Sequence, residues 1–165
     1  MKFWKHSLLA AGIFMTLATA VTYTSCNHDS CKALMCRNGG TCADEFCRCP
    51  HGYEGTQCEI ISRNKFLGSY EGQTQVNGLP VIRDFATVSR HNEAVSITGL
   101  KVEIATRSPE VITGVVAPSG NEVTVEPTES RKVTWKIDSQ GRMEILIEEM
   151  INGEKRSTIF KGSRP

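Results

Sequence analysis

The seven cysteines of this 165-residue sequence can take part in more kinds of chemistry than its other side chains. Six of them fall in one run, CKALMCRNGGTCADEFCRCPHGYEGTQC, which begins at Cys31 and ends at Cys58. Thiols at this density can form disulfides, bind zinc or act as nucleophiles. Zinc knuckles are built from C-x-x-C pairs, whereas Cys47 and Cys49 are separated by one residue, so the spacing argues against zinc. Spacing alone does not select one disulfide pairing from the many that six cysteines allow.

Other residues capable of catalysis are sparse. Glu148 and Glu149 are adjacent, so on a strand they point to opposite faces, and we expect a solvated edge there. Asp84, beside Arg83, is expected to have the same character. The histidines that follow residue 25 are His28, His51 and His91. They form no His-Glu-x-x-His run and no Ser/His/Asp order, and the sequence contains no glycine-rich phosphate loop. We therefore expect a protein that is not an enzyme and holds no cofactor.

Residues 1–25 have the pattern of a secretory signal. Two lysines and a histidine precede the uncharged run LLAAGIFMTLATAV, which is shorter than the roughly 20 apolar residues of a spanning helix. The following Thr24-Ser25-Cys26 resembles the lipobox of Bacteroides-type lipoproteins, although Tyr23 stands where Leu is usual. The resemblance implies cleavage before Cys26, acyl chains on Cys26 and a short linker over 26–30. The alternative is an ordinary signal peptide with Cys26 as a free thiol.

The net charge indicates which partners to expect. The whole chain carries 19 basic and 18 acidic residues, and 17 basic residues remain once the two lysines of residues 1–25 are removed, for a net charge of −1. Near-neutral charge argues against a nucleic-acid partner.

The signal and lipobox patterns together predict the location. We expect an exported protein that is lipid-anchored to the outer membrane, on its periplasmic side or at the cell surface. The expected partners are the membrane and an unidentified protein or glycan.

The cysteine-rich run resembles an EGF-like domain over residues 31–59. The resemblance lies in the Asn38-Gly39-Gly40-Thr41-Cys42 turn, the Cys47-Arg48-Cys49 pair and the Gly52-Tyr53-Glu54-Gly55 stretch. It implies that the cysteines pair first with third, second with fourth and fifth with sixth: Cys31–Cys42, Cys36–Cys47 and Cys49–Cys58. Each bond closes a loop of about ten residues, worth roughly 2.5–3 kcal/mol in the chain-entropy model. Two pairs of glycines are expected to supply positive φ angles in the turns: Gly39 with Gly40, and Gly52 with Gly55.

The start of this run contains two candidate calcium ligands. Some EGF-like domains bind calcium through acidic or amide residues placed before the first cysteine. Asn27 and Asp29 stand at suitable offsets, but Ser30 replaces the usual Glu or Gln. Because calcium needs about six or more oxygen ligands, the set is incomplete and we expect no metal.

Residues 60–165 read as strands. Apolar and polar residues alternate in runs such as Val133 to Ile137, Met143 to Ile147 and Val95 to Thr98, which is typical of a sheet with one wet face. Asn77-Gly78 and Asn152-Gly153 are strong hairpin signals. Eight or nine strands in sequential hairpins predict an antiparallel up-and-down β-barrel, because closure removes exposed edges. The alternative is an open two-sheet β-sandwich.

A second resemblance supports the barrel. The stretch Asn64 to Gly72 resembles the opening strand of lipocalin-like domains in Bacteroides-type lipoproteins. It implies that Tyr70 takes the place of the aromatic residue that plugs the barrel floor. The run Arg156 to Lys161 resembles a closing strand that pairs back to the first. The predicted fold is therefore mainly β, a disulfide-stapled EGF-like module followed by a lipocalin-like barrel over 60–165.

The expected function follows from the size of the inward side chains. An eight-stranded barrel leaves room for side chains or for one small ligand, and several inward side chains are bulky enough to fill it: Trp135, Ile137, Ile145, Ile147 and Phe160. We therefore expect a membrane-anchored extracytoplasmic lipoprotein that acts as a non-catalytic binding module, through EGF-like loops or the barrel surface. One alternative is a carrier of a small apolar ligand inside the barrel. Another is a structural component of an outer-membrane complex.

Overall fold

The fold is taken from a computed structural model that describes residues 31, 34–91 and 96–165. The predicted signal and linker, residues 1–30, lie outside the described residues. Within the described part of the chain, no helix is long and apolar enough to cross a membrane.

The N-terminal module consists of two small antiparallel hairpins. Strands β1 (Thr41–Ala43) and β2 (Phe46–Arg48) pair with Cys42 opposite Cys47, and β3 (Tyr53–Glu54) pairs with β4 (Ile60–Ile61). A 3-10 helix, Ser62–Lys65, then leads the chain into the second part of the fold.

The remaining strands form a closed eight-stranded barrel. Each of these strands pairs antiparallel with the next one in sequence, and the last strand of the chain pairs back to the first barrel strand, which closes the ring. The predicted up-and-down barrel is confirmed, and the sandwich alternative is wrong. The barrel strands are β5 (Gly68–Val76), β6 (Ile82–Arg90), β7 (Gly99–Ile104), β8 (Val111–Val116), β9 (Glu122–Thr124), β10 (Arg131–Ile137), β11 (Met143–Ile151) and β12 (Glu154–Ser163).

The alternation of the sequence determines which side chains fill the barrel. Residues with one parity on each strand point inward, because successive side chains of a strand face opposite sides. Phe66 packs edge-on against Trp135 with ring centroids 6.2 Å apart. The bulky residues expected inside are all buried, each at most 5% exposed: Trp135, Ile137, Ile145, Ile147 and Phe160.

Glycines allow two strands to approach closely where the barrel closes. Gly72 on β5 lies opposite Gly162 on β12. A Cβ atom on Gly72 would overlap the carbonyl oxygen of Lys161, and one on Gly162 would lie 2.7 Å from the ring of Phe160. Small residues at this crossing let the sheet bend sharply enough to close.

Up-and-down connectivity gives the barrel two different ends. The module end carries the β6–β7, β8–β9 and β10–β11 connections together with residues 62–67. The far end carries the other four connections, including the tight turn at Asn152 and Gly153, whose φ angles are 52° and 81°. Asn77 and Gly78 also have positive φ, at 48° and 71°, but they begin a longer loop that reaches β6 at Ile82.

The structure differs from the expected strands in local details. The predicted strand over 95–98 is wrong where it is described, because Ser96 precedes a turn at Ile97 and Thr98. The 3-10 helices Ser62–Lys65 and Ala105–Arg107 were not predicted, because segments this short leave no periodicity to detect.

Candidate binding surface

Three disulfides hold the N-terminal module. They join Cys31 to Cys42, Cys36 to Cys47 and Cys49 to Cys58, with Cα atoms 5.7, 5.5 and 5.3 Å apart. This is the pairing that the EGF resemblance implies. A segment of this length cannot build a stabilising core alone, so the covalent bonds carry its stability.

The glycines of the module act by more than one physical mechanism. Gly39, Gly52 and Gly55 have φ angles of 80°, 94° and 98°, a region that other residues rarely adopt. Gly40 has no positive φ, contrary to the expectation for its turn. A Cβ atom there would lie 2.6 Å from the sulfur of Cys58, so Gly40 is needed for space rather than for its backbone angle.

His51 ties the module to the barrel. Its Nε2 atom lies 2.7 Å from the carbonyl oxygen of Val116, the last residue of β8, so the ring donates from Nε2. The next residue, Gly52, lies against the β6–β7 connection: an added Cβ atom would be 2.8 Å from Ile97 and 2.9 Å from Thr98. The sequence placed His51 in a loop and assigned it no partner.

An ion pair reinforces the same junction. The Lys65 ammonium lies 2.7 Å from the carboxylate of Glu54 in β3 and 3.1 Å from the side-chain oxygen of Asn121, in the β8–β9 connection. A guanidinium nitrogen of Arg63 also donates to the carbonyl oxygen of Ser96 at 3.3 Å. The module and the barrel are therefore joined by several directional contacts in addition to the chain itself.

Tyr70 closes the module end of the barrel. Its side chain is fully buried, and its hydroxyl donates to the carbonyl oxygen of Phe66 at 2.9 Å. The Arg164 guanidinium lies 5.5 Å from the ring centre and donates to the hydroxyl at 3.2 Å. Burial raises the pKa of Tyr70 above its ordinary value, although the hydrogen bond and charge of Arg164 oppose this rise. The role of Tyr70 as the aromatic plug of the barrel floor stays a prediction.

Arg107 spans the far end of the barrel. It belongs to the 3-10 helix between β7 and β8, which lies diametrically opposite β11 and β12 in a ring of eight strands. Its two terminal nitrogens each lie 3.1 Å from a carboxylate oxygen of Glu149 on β11. It also donates to Glu110 at 2.7 Å and to the Thr158 hydroxyl on β12 at 3.3 Å. Glu110 in turn lies 2.6 Å from the Arg131 guanidinium.

Asp84 anchors the neighbouring residue of the same 3-10 helix. The carboxylate is 1% exposed and accepts hydrogen bonds from the Thr106 hydroxyl at 2.6 Å, from the Thr106 N–H at 3.2 Å and from the Thr74 hydroxyl. The expectation of a solvated Asp84 is therefore wrong. The expectation for Glu149 is also wrong, because its side chain is 12% exposed and faces Arg107.

The outer wall carries a groove of about 790 Å³ across β5, β10, β11 and β12. Its charged side chains are already paired. Glu144 lies 3.1 Å from Lys161 and 3.4 Å from Lys136, and the pKa of Glu144 is lowered mainly by its hydrogen bond to Lys161. Arg83 likewise lies 3.3 Å from Glu71. A charged ligand would have to break these pairs.

A second groove, of about 430 Å³, follows the outer face of β8. Its floor includes Val111, Thr113 and Val115, and Glu126 lies at its border. Val111 and Val115 are each 42% exposed. Glu126 forms no ion pair within the described part of the chain. This groove is called the β8 groove below, and it combines exposed apolar side chains with a carboxylate that has no ion-pair partner among the described residues.

The remaining predicted site residues have no described geometry. The lipidation candidate Cys26 and the calcium candidates Asn27 and Asp29 lie outside the described residues. Among the described residues, no three His, Cys, Asp or Glu side chains cluster in a way that could hold a metal ion.

Comparisons with known proteins give limited similarity. No protein-family model matches the chain. A stretch of 47 residues, 27% of the chain, is 39% identical to part of Protein lin-12 of Caenorhabditis elegans and spans 3% of that protein. Among solved structures, zebrafish ileal bile acid-binding protein in complex with cholic acid aligns with a TM-score of 0.39 and 8% identity, over 61% of this chain and 99% of that one. What the structure itself shows is a module held by three disulfides, followed by a closed eight-stranded antiparallel barrel.

Proposed function

We propose that the protein is an exported, lipid-anchored, non-catalytic binding protein of the Bacteroides lipoprotein type. In this proposal the EGF-like module and the barrel act as one rigid body. The body presents its outer surface to a protein or glycan partner outside the cytoplasm.

The filled and sealed barrel carries the proposal. Trp135, Tyr70 and Phe160 occupy the interior at no more than 1% exposure. Tyr70 closes one end, and Arg107 spans the other. A small-molecule carrier needs a cavity of several hundred Å³, and dense packing of this kind favours a ligand that binds outside. The carrier alternative is therefore the less favoured function.

The cysteines support export and anchoring. Six of them are used in disulfides, which persist in oxidising compartments. Cys26 is the seventh, and it follows an apolar run at the position where a lipobox needs a cysteine. Several acyl chains, each contributing about 0.8 kcal/mol per buried CH₂, would anchor the protein stably.

The described polar groups support a non-catalytic role. Arg107, Glu149 and Glu110 hold one another, and Asp84 is saturated by hydrogen bonds from threonine and backbone groups. His51 is engaged by a carbonyl oxygen. These contacts stabilise the fold and leave none of these groups poised as a general base or a nucleophile.

Metabolic labelling tests the anchor. The wild-type protein should incorporate labelled palmitate and sediment with membranes, and Cys26→Ser should abolish both. Equal labelling of the variant would refute anchoring through Cys26.

Titration with a lipophilic dye tests the site of binding. Trp135 is the one tryptophan after residue 25, so its fluorescence reports on the barrel interior. We expect anilinonaphthalene sulfonate to leave this emission unquenched. One saturable site that quenches Trp135 would instead favour the carrier function.

A further inference from the structure

One edge of β8 is only half covered by neighbouring strands. Along one side, β7 pairs with every residue from Val111 to Val115. Along the other side, β9 pairs only with Val115 and Val116. The segment Val111 to Gly114 therefore has an edge with no ladder partner in the described part of the chain.

The alternation of backbone hydrogen bonds along β8 shows which N–H and C=O groups point out of this edge. The Val116 N–H donates to Thr98 on the β7 side at 3.0 Å, and the Ala117 N–H donates to Glu122 on the β9 side at 2.8 Å. In an antiparallel ladder, successive residues turn their backbone polar groups to opposite sides. Val111 and Thr113 are separated from Ala117 by an even number of positions, so their N–H and C=O groups also point toward β9. No hydrogen bond to these groups occurs among the described residues.

The path of the chain after β9 explains why the edge stays open. Pro127 has no N–H to donate, and Thr128 exchanges backbone hydrogen bonds with Arg131 at 2.9 and 3.3 Å instead of pairing with β8. Val125 packs on the barrel core. The segment thus turns away just where Thr113 and Val111 would need a partner.

The shape and charge of the β8 groove determine what can fill this edge. The outward side chains of Val111 and Val115 provide an apolar floor. Glu126 lies at the border, and Glu122 and Glu129 are exposed in the same stretch of chain; none of the three forms an ion pair among the described residues. The Arg131 guanidinium, which also lines the groove, lies 2.6 Å from Glu110. Glu126 is therefore the carboxylate of the groove lining, and it has no ion-pair partner among the described residues.

We propose that the β8 groove binds an extended, basic peptide segment of a partner protein, which adds as a strand to the free edge at Val111 and Thr113. Lysine or arginine side chains of the segment pair with Glu126, and its apolar side chains pack on Val111 and Val115. Main-chain hydrogen bonds provide affinity in such strand addition, and side-chain pockets provide specificity. This inference rests on the proposed function and gives the partner a chemical class.

The probe is a fluorescein-labelled, acetylated heptapeptide with valine at positions 2 and 4, lysine at position 6 and serine at the odd positions, so that valines and lysine share one face of the strand. It is titrated into the full mature chain by fluorescence anisotropy. Thr113→Pro removes an edge N–H that β7 does not use, and proline is tolerated at such positions. It should weaken binding by about tenfold or more. Glu126→Gln should weaken binding by about threefold at low salt, whereas the charge-matched control Glu154→Gln should leave it unchanged.

A modified probe keeps the test independent of any folding defect in the proline variant. The same peptide with alternate backbone N-methyl groups should not bind the wild-type protein, and amide exchange at Thr113 should slow when the parent peptide is bound. The proposal is overturned if both peptides bind the wild-type protein equally, or if the parent peptide does not bind. It is also overturned if Glu126→Gln and Glu154→Gln bind the parent peptide with equal affinity. Concentration-dependent dimerisation that excludes the peptide would instead assign the edge to a second copy. Palmitate labelling at Cys26 is unaffected by these outcomes, so the two proposals fail separately.

Discussion

Arg107 and Glu149 face each other across the mouth of the barrel, joined by two parallel hydrogen bonds of 3.1 Å each. The side chains are 13% and 12% exposed, so the pair is largely shielded from water. Such two-pronged pairs are strong and directional. Because the two residues come from opposite sides of the strand ring, the pair ties the β7–β8 connection to the far wall.

Removing Arg107 should destabilise the protein strongly. Arg107→Ala leaves the shielded Glu149 carboxylate without its two-pronged partner, and breaking such a pair costs about 3–5 kcal/mol. Arg142→Ala is the control, because its pair with Asp138 is exposed, and it should cost far less than Arg107→Ala. Urea unfolding followed by Trp135 fluorescence measures both values. Equal losses in the two variants would contradict this role of Arg107.

The same pair should make stability depend on acid pH. Burial alone would raise the pKa of Glu149, but the hydrogen bonds and charge of Arg107, with help from Arg131 and Arg156, lower it overall. A lowered pKa contributes stability that is present above the unfolded value of about 4.3 and is lost as the pH falls through the folded value. The double variant Arg107→Met with Glu149→Leu should therefore lose less stability than the wild type below about pH 4.3. Parallel stability curves over this range would argue against the linkage.

The strand alternation in the sequence already indicated that Asp84 and Glu149, at the far end of the barrel, point inward. Alternation predicted the barrel and its core, yet Asp84 was expected in solvent because of its charge and its neighbour Arg83. Its parity on β6 is that of the buried Ala86 and Val88, and the parity of Glu149 on β11 is that of Ile147. The pattern thus pointed both side chains inward. Their partners Thr106 and Arg107 come from a 3-10 helix that no periodicity predicts.

Contacts between distant segments could not be predicted at all. His51 and Val116 are 65 residues apart, and they meet only because the module folds back on the β8–β9 end of the barrel. The open edge of β8 likewise depends on where the chain turns after Thr124. Strand propensity describes each segment, whereas these features depend on register and on the closure of the whole ring.

The junction should respond differently to two matched glycine substitutions. Gly39→Ala and Gly52→Ala each place a side chain at positive φ, which costs about 1–2 kcal/mol. At Gly39 nothing lies within 4 Å of the added Cβ, whereas at Gly52 it would press on Ile97 and Thr98 of the barrel. Only Gly52→Ala should lower the melting temperature of the barrel reported by Trp135. An equal decrease in both variants would mean that the module and the barrel are not coupled through this contact.

Reducing the disulfides should unfold the module but not the barrel. Each bond closes a loop with a sequence separation of 9 or 11 residues and contributes roughly 2.5–3 kcal/mol. The barrel contains no cysteine, so it loses only its contacts with the module. After reduction and alkylation, trypsin should cleave at Arg37 and Arg48 while the Trp135 emission stays native at 25 °C. Loss of the native emission would show that the barrel needs the module to fold.

Tyr70 should control stability at alkaline pH. Burial raises its folded pKa above the unfolded value of about 10, so the stability linked to the neutral phenol is complete below that pH and is lost as the pH rises through the folded pKa. Tyr70→Phe keeps the ring but removes the donor to Phe66, at a cost of about 1 kcal/mol at neutral pH. Its unfolding free energy should then fall less steeply than that of the wild type above about pH 10. Tyr53→Phe, which removes a tyrosine hydroxyl from β3 of the module, is the matched control for the cost at neutral pH. If Tyr70→Phe kept the wild-type slope, the phenol would be ionising in the folded barrel without cost, and Tyr70 would not seal the module end.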